Sequence, residues 1–136
     1  MLKDGLDVYL PLVDDDAIGA VVKRMDGSFI TVQIKARSSD AIEGDAALFS
    51  AIPHELRDNY WFIFYSERMN MMWIMSSEEF IKESVQNKTG KNKGKRSIWF
   101  NGKRRIRSQG FLRENAKRKF EKYVADDFRR LINDTD

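Results

Sequence analysis

The sequence contains no cysteine, and this absence excludes several kinds of chemistry. Without thiols the chain can form no disulfide, use no thiolate nucleophile and hold no cysteine-ligated zinc ion. Disulfides are typical of oxidising compartments, so a chain that has none fits a reducing one. We therefore expect a cytoplasmic protein.

Long hydrophobic runs are also missing. No apolar stretch approaches the roughly 18 residues that would suggest a transmembrane helix, so no membrane association is expected. The N-terminal segment, MLKDGLDVYLPLV, lacks the apolar stretch of a signal peptide. Histidine is scarce too: the only one, His54, follows Pro53 in a polar stretch, and we expect it at the surface. The 136 residues fit one domain, 1–136.

Charge of one sign dominates part of the chain, although the net charge is only +3. Positions 1–58 carry 6 basic and 11 acidic residues, whereas positions 88–119 carry 13 basic residues and one acidic residue. Trp99, Phe100 and Phe111 lie among these cations, and a purely solubilising segment rarely contains aromatic residues. The pattern favours a surface that binds a polyanion such as nucleic acid. We expect DNA as the partner, although the sequence leaves DNA and RNA open. A solvated loop and helix face is the alternative.

The cations of this basic segment follow two kinds of local sequence. The stretch QNKTGKNKGKRS has no apolar residue and predicts a mobile loop, whereas IWF predicts a short strand before a second turn. The residues expected to contact nucleic acid are Lys91, Lys93, Lys95, Arg96, Lys103, Arg104, Arg105 and Arg107.

Apolar periodicity predicts a mixed α/β (α+β) fold, with a central β-sheet flanked by helices. The predicted strands are Leu6–Leu12, Ala17–Arg24, Phe29–Arg37, Tyr60–Tyr65 and Met71–Met75. Pro11 favours an edge position for the first strand, or the end of that strand. The almost continuously apolar YWFIFYS is typical of a central strand. The segment DAALFSAI fits a short helix or a strand.

Two helices are predicted after the strands. Ser76 and Ser77 precede Glu79 in a pattern close to a capping box, so a helix should begin there. Apolar residues recur every four positions near the C-terminus, which predicts a long helix over Leu112–Ile132.

The hairpin around Met25-Asp26-Gly27 determines which side chains share a face. A two-residue turn would place Gly19 and Gln33 on opposite faces, whereas a three-residue loop would pair them. The longer loop needs a left-handed residue at its third place, and Gly27 is suited to it. We favour that register, which gathers positions 17, 19, 33 and 35 beside the acidic turn of Asp14, Asp15 and Asp16.

These residues resemble a known family. The stretch VDDDAIGAVVKRMDGSFITVQIKARS, followed by an aromatic strand, is similar to the core of the restriction-endonuclease-like PD-(D/E)XK nucleases, notably small bacterial members. The resemblance implies a restriction-endonuclease-like fold and a Mg²⁺-dependent phosphodiester hydrolase. It implies that Gln33 is a metal ligand and that Lys35 positions or deprotonates the attacking water.

The sequence departs from this family at one decisive place. The motif aspartate corresponds to position 19, where this chain has Gly19, and Ala17 replaces the usual glycine. Mg²⁺ prefers carboxylate ligands, so the neutral Gln33 alone is a weak site. We therefore expect a nucleic-acid-binding protein with a degenerate and inactive metal site.

Two other functions remain open from the sequence. In an active Mg²⁺-dependent endonuclease, Asp14, Asp15 or Asp16 of the acidic turn would reach the metal. Asp16 would then join Gln33 as metal ligand, and Asp16, Gln33 and Lys35 would be the catalytic residues. A non-enzymatic protein that self-associates as a homodimer, through a sheet edge or a helix, is the third reading. Metal-dependent cleavage separates the first two, and size in solution tests the third.

Overall fold

A computed structural model of the chain describes residues 7–14, 17–40, 47–100 and 119–132. The strands in these ranges are β1 (Asp7–Asp14), β2 (Ala17–Lys23), β3 (Phe29–Arg37), β4 (Leu48–Ile52), β5 (Tyr60–Ser66), β6 (Met71–Ser76), β7 (Val85–Gln86) and β8 (Arg96–Trp99). The helical segments include α1 (Ser77–Glu83), a 3-10 helix (Glu121–Tyr123) and α2 (Arg129–Ile132). This arrangement confirms the mixed α+β class. No helix in the described ranges is long and apolar enough to cross a membrane.

The larger sheet has the strand order β1-β2-β3-β5-β6. Its neighbours are antiparallel except for β3 and β5, which are parallel. All five predicted strands are present, with bounds that differ from the predicted ones by two residues or fewer. β1 lies at one edge, as Pro11 predicted, and its register shifts between Val8 and Pro11.

The hairpin between β2 and β3 has the three-residue loop expected from the sequence. The amide of Arg24 donates to the carbonyl of Ser28 at 2.8 Å, and the amide of Gly27 donates to that of Arg24 at 3.0 Å. Gly27 has a φ of 89°, in the left-handed region that glycine adopts without steric cost. The register pairs Gly19 with Gln33, so these two positions share one face of the sheet.

One face of the larger sheet is covered by the C-terminal segment. Val22, Ile30, Val32, Trp61, Ile63, Ile74 and Leu131 form a buried cluster there. Ala125, Phe128 and Ile132 pack against this cluster from the C-terminal segment. The alternation of β3 therefore buries its Ile30 face and directs Gln33 and Lys35 to the opposite face.

The opposite face carries a second, mainly aromatic core. It contains Ala47, Phe49, Ile52, Phe62, Phe64, Trp73, Met75, Phe80, Ile98, Phe100, Phe120 and Tyr123. Several of these residues belong to a smaller sheet with the order β4-β8-β7. The segment DAALFSAI, which fitted a helix or a strand, supplies strand β4 of that sheet.

The predicted long helix over Leu112–Ile132 is wrong in the part that the structure describes. Residues 121–123 form a 3-10 helix, Val124 is extended and bridges to Trp73, and only α2 returns to helical geometry. The amide of Ala125 also donates to the carbonyl of Met72 at 2.9 Å. The chain thus passes along the edge of β6, from the aromatic face to the aliphatic face, while residues 112–118 lie outside the described ranges.

The beginning of α1 confirms the capping-box prediction. Ser76 is the N-cap and its hydroxyl accepts from the amide of Glu79, while the Glu79 carboxylate accepts from the amide of Ser76. Two donors that a helix start would leave unpaired are satisfied in this way.

Candidate functional site

The polar patch of Gly19, Gln33 and Lys35 lies on the aromatic face of the larger sheet. In the parallel register Gln33 is beside Phe62 and Lys35 is beside Phe64, and both polar side chains are half-buried. The patch therefore lies next to the aromatic core and is not a fully solvated strand face. Its three positions are brought together as predicted by the hairpin register.

Gln33 is held by a side chain from the neighbouring strand. The hydroxyl of Tyr60 donates to Oε1 of Gln33 at 3.0 Å. Tyr60 in turn lies beneath the guanidinium of Arg57, which is 4.6 Å from the centre of its ring. This hydrogen bond fixes the orientation of the Gln33 amide group. Its oxygen accepts from Tyr60, and its nitrogen is the donor of the side chain.

His54 is not the surface residue that the sequence predicted. Its ring is half-buried and contacts Tyr60, Phe62 and Phe80, with centroid distances of 5.1, 4.8 and 5.7 Å. Nε2 of His54 lies 2.6 Å from Oγ of the buried Ser77. Burial, together with the charges of Arg57 and Arg96, lowers the pKa of His54 to about 4. A neutral ring enclosed by aromatic neighbours fits a packing role.

The donor set of the polar patch does not fit a divalent cation. Gly19 has no side chain, the oxygen of Gln33 is neutral and hydrogen-bonded, and Lys35 is a cation. Within the described ranges no three histidine, aspartate or glutamate side chains are grouped so that they could hold a metal ion. Asp14 ends β1 opposite Ala17, at the outer strand of the sheet, and Asp16 lies outside the described residues.

The predicted nucleic-acid contacts divide into three groups. Lys91 and Lys93 are exposed in the connection between β7 and β8, together with Lys88, whereas Lys95 and Arg96 are half-buried. Nη1 of Arg96 donates to the carbonyl of Ile81 at 3.3 Å, so this arginine stabilises the end of α1. The remaining residues, Lys103, Arg104, Arg105 and Arg107, lie outside the described ranges.

The connection between β7 and β8 is built from hydrogen-bonded turns, where the sequence predicted a mobile loop. The amide of Asn87 donates to Lys95 at 2.8 Å, and the amide of Gly94 donates to Asn87 at 2.8 Å. Gly90 and Gly94 have positive φ angles of 79° and 87°. These turns present the lysines on a defined hairpin.

The sequence did not predict a groove of about 550 Å³ lined by Arg24, Arg57, Tyr60, Lys82 and Tyr123, among others. Trp61 also lines it, and its ring lies close to two guanidinium groups, at 5.3 Å from Arg24 and 4.9 Å from Arg130. No local pattern signals this arrangement, because its residues come from four separate stretches of the chain.

Comparison with known proteins gives little further information. No protein-family model and no curated protein matches the sequence. Among solved structures, a bacterial homing endonuclease, I-Ssp6803I, matches with a TM-score of 0.44 and 19% identity, over 89% of this chain and 83% of that one. A likeness of this size is too weak to assign a family or an activity.

Proposed function

We propose that this chain is a nucleic-acid-binding protein, built on a PD-(D/E)XK-like sheet, whose metal site is degenerate and does not cleave phosphodiester bonds. The observation that carries the proposal is the pairing of Gly19 with Gln33. The resemblance to PD-(D/E)XK nucleases implies an aspartate at position 19, and glycine provides no ligand there. The protein would act in the cytoplasm, the reducing compartment that a chain without cysteine suits.

The chemistry of phosphodiester hydrolysis supports the loss of activity. A divalent cation must stabilise negative charge on the phosphate and activate a water molecule. Mg²⁺ binds through carboxylates and keeps several water ligands. One neutral amide oxygen beside the cationic Lys35 offers too little negative charge to hold such an ion.

Nucleic-acid binding is supported by the hairpin between β7 and β8. Lys88, Lys91 and Lys93 are exposed there and form no ion pair with any residue in the described ranges. Flexible lysines of this kind contact phosphates rather than base edges, so binding should depend little on sequence. DNA is the partner proposed.

Binding is tested by fluorescence anisotropy with a short labelled DNA duplex at low salt. Changing Lys88, Lys91 and Lys93 together to alanine should weaken binding about tenfold or more, because contacts to phosphates release counterions. A control that removes Lys23, Lys82 and Arg129 changes the net charge equally, but those cations lie on β2, α1 and α2. Equal loss in both triple variants would show that only net charge matters, and no binding by the unmodified chain would refute the proposal.

Cleavage is tested with supercoiled plasmid in Mg²⁺ and in Mn²⁺. The unmodified chain should leave the plasmid intact. Nicking that disappears in Lys35→Ala would show that the protein is an active endonuclease. Loss of such nicking in Asp14→Asn or Asp16→Asn would then identify the acidic turn as its source of metal ligands.

A further inference from the structure

We propose that the polar patch binds a phosphate group directly, without a metal ion. The inference rests on the proposed nucleic-acid binding and adds to it a second contact, separate from the lysine hairpin. An aspartate at position 19 would suit the patch to a cation, whereas glycine suits it to an anion. Three observations on the described residues lead to this conclusion.

The first observation is the environment of Lys35. Its side chain is half-buried and forms no ion pair with any residue in the described ranges. A cation that is partly removed from water gains from a nearby anion, because desolvation weakens its hydration and strengthens the attraction. On this face the register places Ala17 of β2 beside Lys35, with Phe64 of β5 on its other side, while Asp14 lies beyond Ala17 at the end of the edge strand β1.

The second observation is the orientation of Gln33. Since its Oε1 accepts the hydroxyl of Tyr60 at 3.0 Å, the amide nitrogen is left as a donor. Gln33 and Lys35 are two residues apart on one strand, so their attachment points are separated by about 6.6 Å on the same face. An amide donor next to an ammonium group complements the oxygens of a phosphate, which accept hydrogen bonds from both.

The third observation is the register that places Gly19 beside Gln33. An aspartate here would add a negative charge to the patch, which would attract a divalent cation and repel a phosphate. Glycine adds neither charge nor side-chain bulk. Among Gly19, Gln33 and Lys35 only Lys35 is charged, so we expect the residue at position 19 to set the sign of the ion that these three residues accept, with Asp14 at the edge of the same face beyond Ala17.

The central test compares Gly19→Asp with Gly19→Asn by anisotropy with the same DNA duplex. In EDTA the unmodified protein should bind as well as it does in Mn²⁺. Gly19→Asp should bind about tenfold more weakly in EDTA, equivalent to ~1.4 kcal/mol, and should recover in Mn²⁺. Gly19→Asn adds a side chain of similar shape without charge and is the steric reference: in EDTA, Gly19→Asp should bind about tenfold more weakly than Gly19→Asn, and in Mn²⁺ this difference should disappear.

A second measurement avoids substitution at the buried Gly19 and uses inorganic phosphate in place of DNA. In metal-free buffer, phosphate should shift the side-chain amide NMR signals of Gln33 in the unmodified protein and in Lys35→Arg. Lys35→Met, which keeps the length of the side chain but not its charge, should abolish the shift. Thermal unfolding of each variant shows whether it is folded.

The outcomes separate this inference from the proposed function. If the duplex binds but phosphate does not move the Gln33 signals and Gly19→Asp behaves like the unmodified protein in EDTA, the patch is not a phosphate site and the lysine hairpin alone carries binding. If binding by the unmodified protein requires Mn²⁺, the inference is wrong because the patch holds a metal ion. If phosphate shifts Gln33 but no duplex binds, the phosphate site stands and the proposed nucleic-acid binding falls.

Discussion

At the scale of single residues, His54 shows how far an environment can move a side chain from its usual behaviour. Its ring packs against Tyr60, Phe62 and Phe80, and its Nε2 lies 2.6 Å from Oγ of Ser77. Burial disfavours the charged imidazolium, and the cations Arg57 and Arg96 add to this effect, so the pKa falls to about 4. The folded protein holds a neutral ring over the whole range in which an ordinary histidine titrates.

Acidification should therefore destabilise the protein through His54. In the unfolded chain the ring takes up a proton near pH 6.5, whereas in the folded protein it does so only near pH 4. Above pH 6.5 protonation of His54 costs the folded protein no stability. As the pH falls from 6.5 towards 4, the unfolded chain takes up the proton first, and the free energy of unfolding decreases. Because water reaches about half of the ring, we expect a loss of only about 1 kcal/mol between about pH 7 and pH 5.

Urea unfolding at the two pH values measures this loss, and His54→Gln is the control. Glutamine can still hydrogen-bond to Ser77 but does not titrate, so the dependence on pH should flatten in this window. Glu79, whose pKa is lowered from 4.5, stabilises the folded protein throughout this window and loses that contribution only at more acidic pH. An unchanged slope in His54→Gln would contradict the assignment.

At the scale of elements, local patterns predicted much of the larger sheet and part of the candidate site. Alternation located the strands, and the length of one loop was enough to pair Gly19 with Gln33. The hydrogen bond from Tyr60 to Gln33 was not predictable in the same way, because it depends on the parallel pairing of β3 with β5. No local pattern specifies which distant strand becomes a neighbour.

The C-terminal segment shows why a strong helical period can mislead. Phe120 and Tyr123 are buried in the aromatic core, whereas Leu131 is buried in the aliphatic one. Their spacing fits one face of a helix, but the residues cover two opposite faces of a sheet. Tertiary contacts, including the bridge from Val124 to Trp73, override the local preference for a helix.

Glu79 should stabilise the contact between α1 and the C-terminal segment. Its carboxylate caps α1 and also binds Arg130 through two oxygens, at 3.0 and 2.8 Å. Burial raises the pKa of Glu79, but the hydrogen bonds and charge of Arg130 and Ser76 outweigh it, so the pKa is lowered overall. We expect Glu79→Ala to cost about 2–3 kcal/mol of unfolding free energy, since it removes both a cap and the ion pair with Arg130.

The neighbouring Glu78 supplies the matched control, because it occupies the same first turn but is exposed. Glu78→Ala should change the unfolding free energy by no more than about 0.5 kcal/mol. Denaturant unfolding of both variants decides the matter. Equal losses of unfolding free energy in the two variants would mean that Glu79 acts only through the helix dipole and not through Arg130.

At the scale of the whole molecule, the charges are separated along the sequence. Positions 1–58 have an excess of acidic residues, while positions 88–119 carry 13 basic residues. If about five phosphates are contacted, the logarithm of affinity for duplex DNA should fall with the logarithm of salt concentration with a slope near −4 to −5. Anisotropy titrations over a range of salt concentrations measure this slope.

Lys103, Arg104 and Arg105 extend this prediction beyond the described residues. Changing all three to alanine should reduce the slope by up to about 3, at roughly one unit for each lost phosphate contact. Thermal unfolding should remain unchanged if these cations serve only binding. A slope equal to that of the unmodified protein would remove the second half of the basic segment from the interface.

The passage of the C-terminal segment along β6 also bears on how the protein is made. Residues 124–132 leave the ribosome after every strand of the larger sheet, yet they occupy the outer side of β6 and cover the aliphatic face. During synthesis there is an interval in which β6 can pair through its free backbone groups with another nascent copy. We therefore expect aggregation during synthesis to depend on how quickly residues 124–132 follow the sheet.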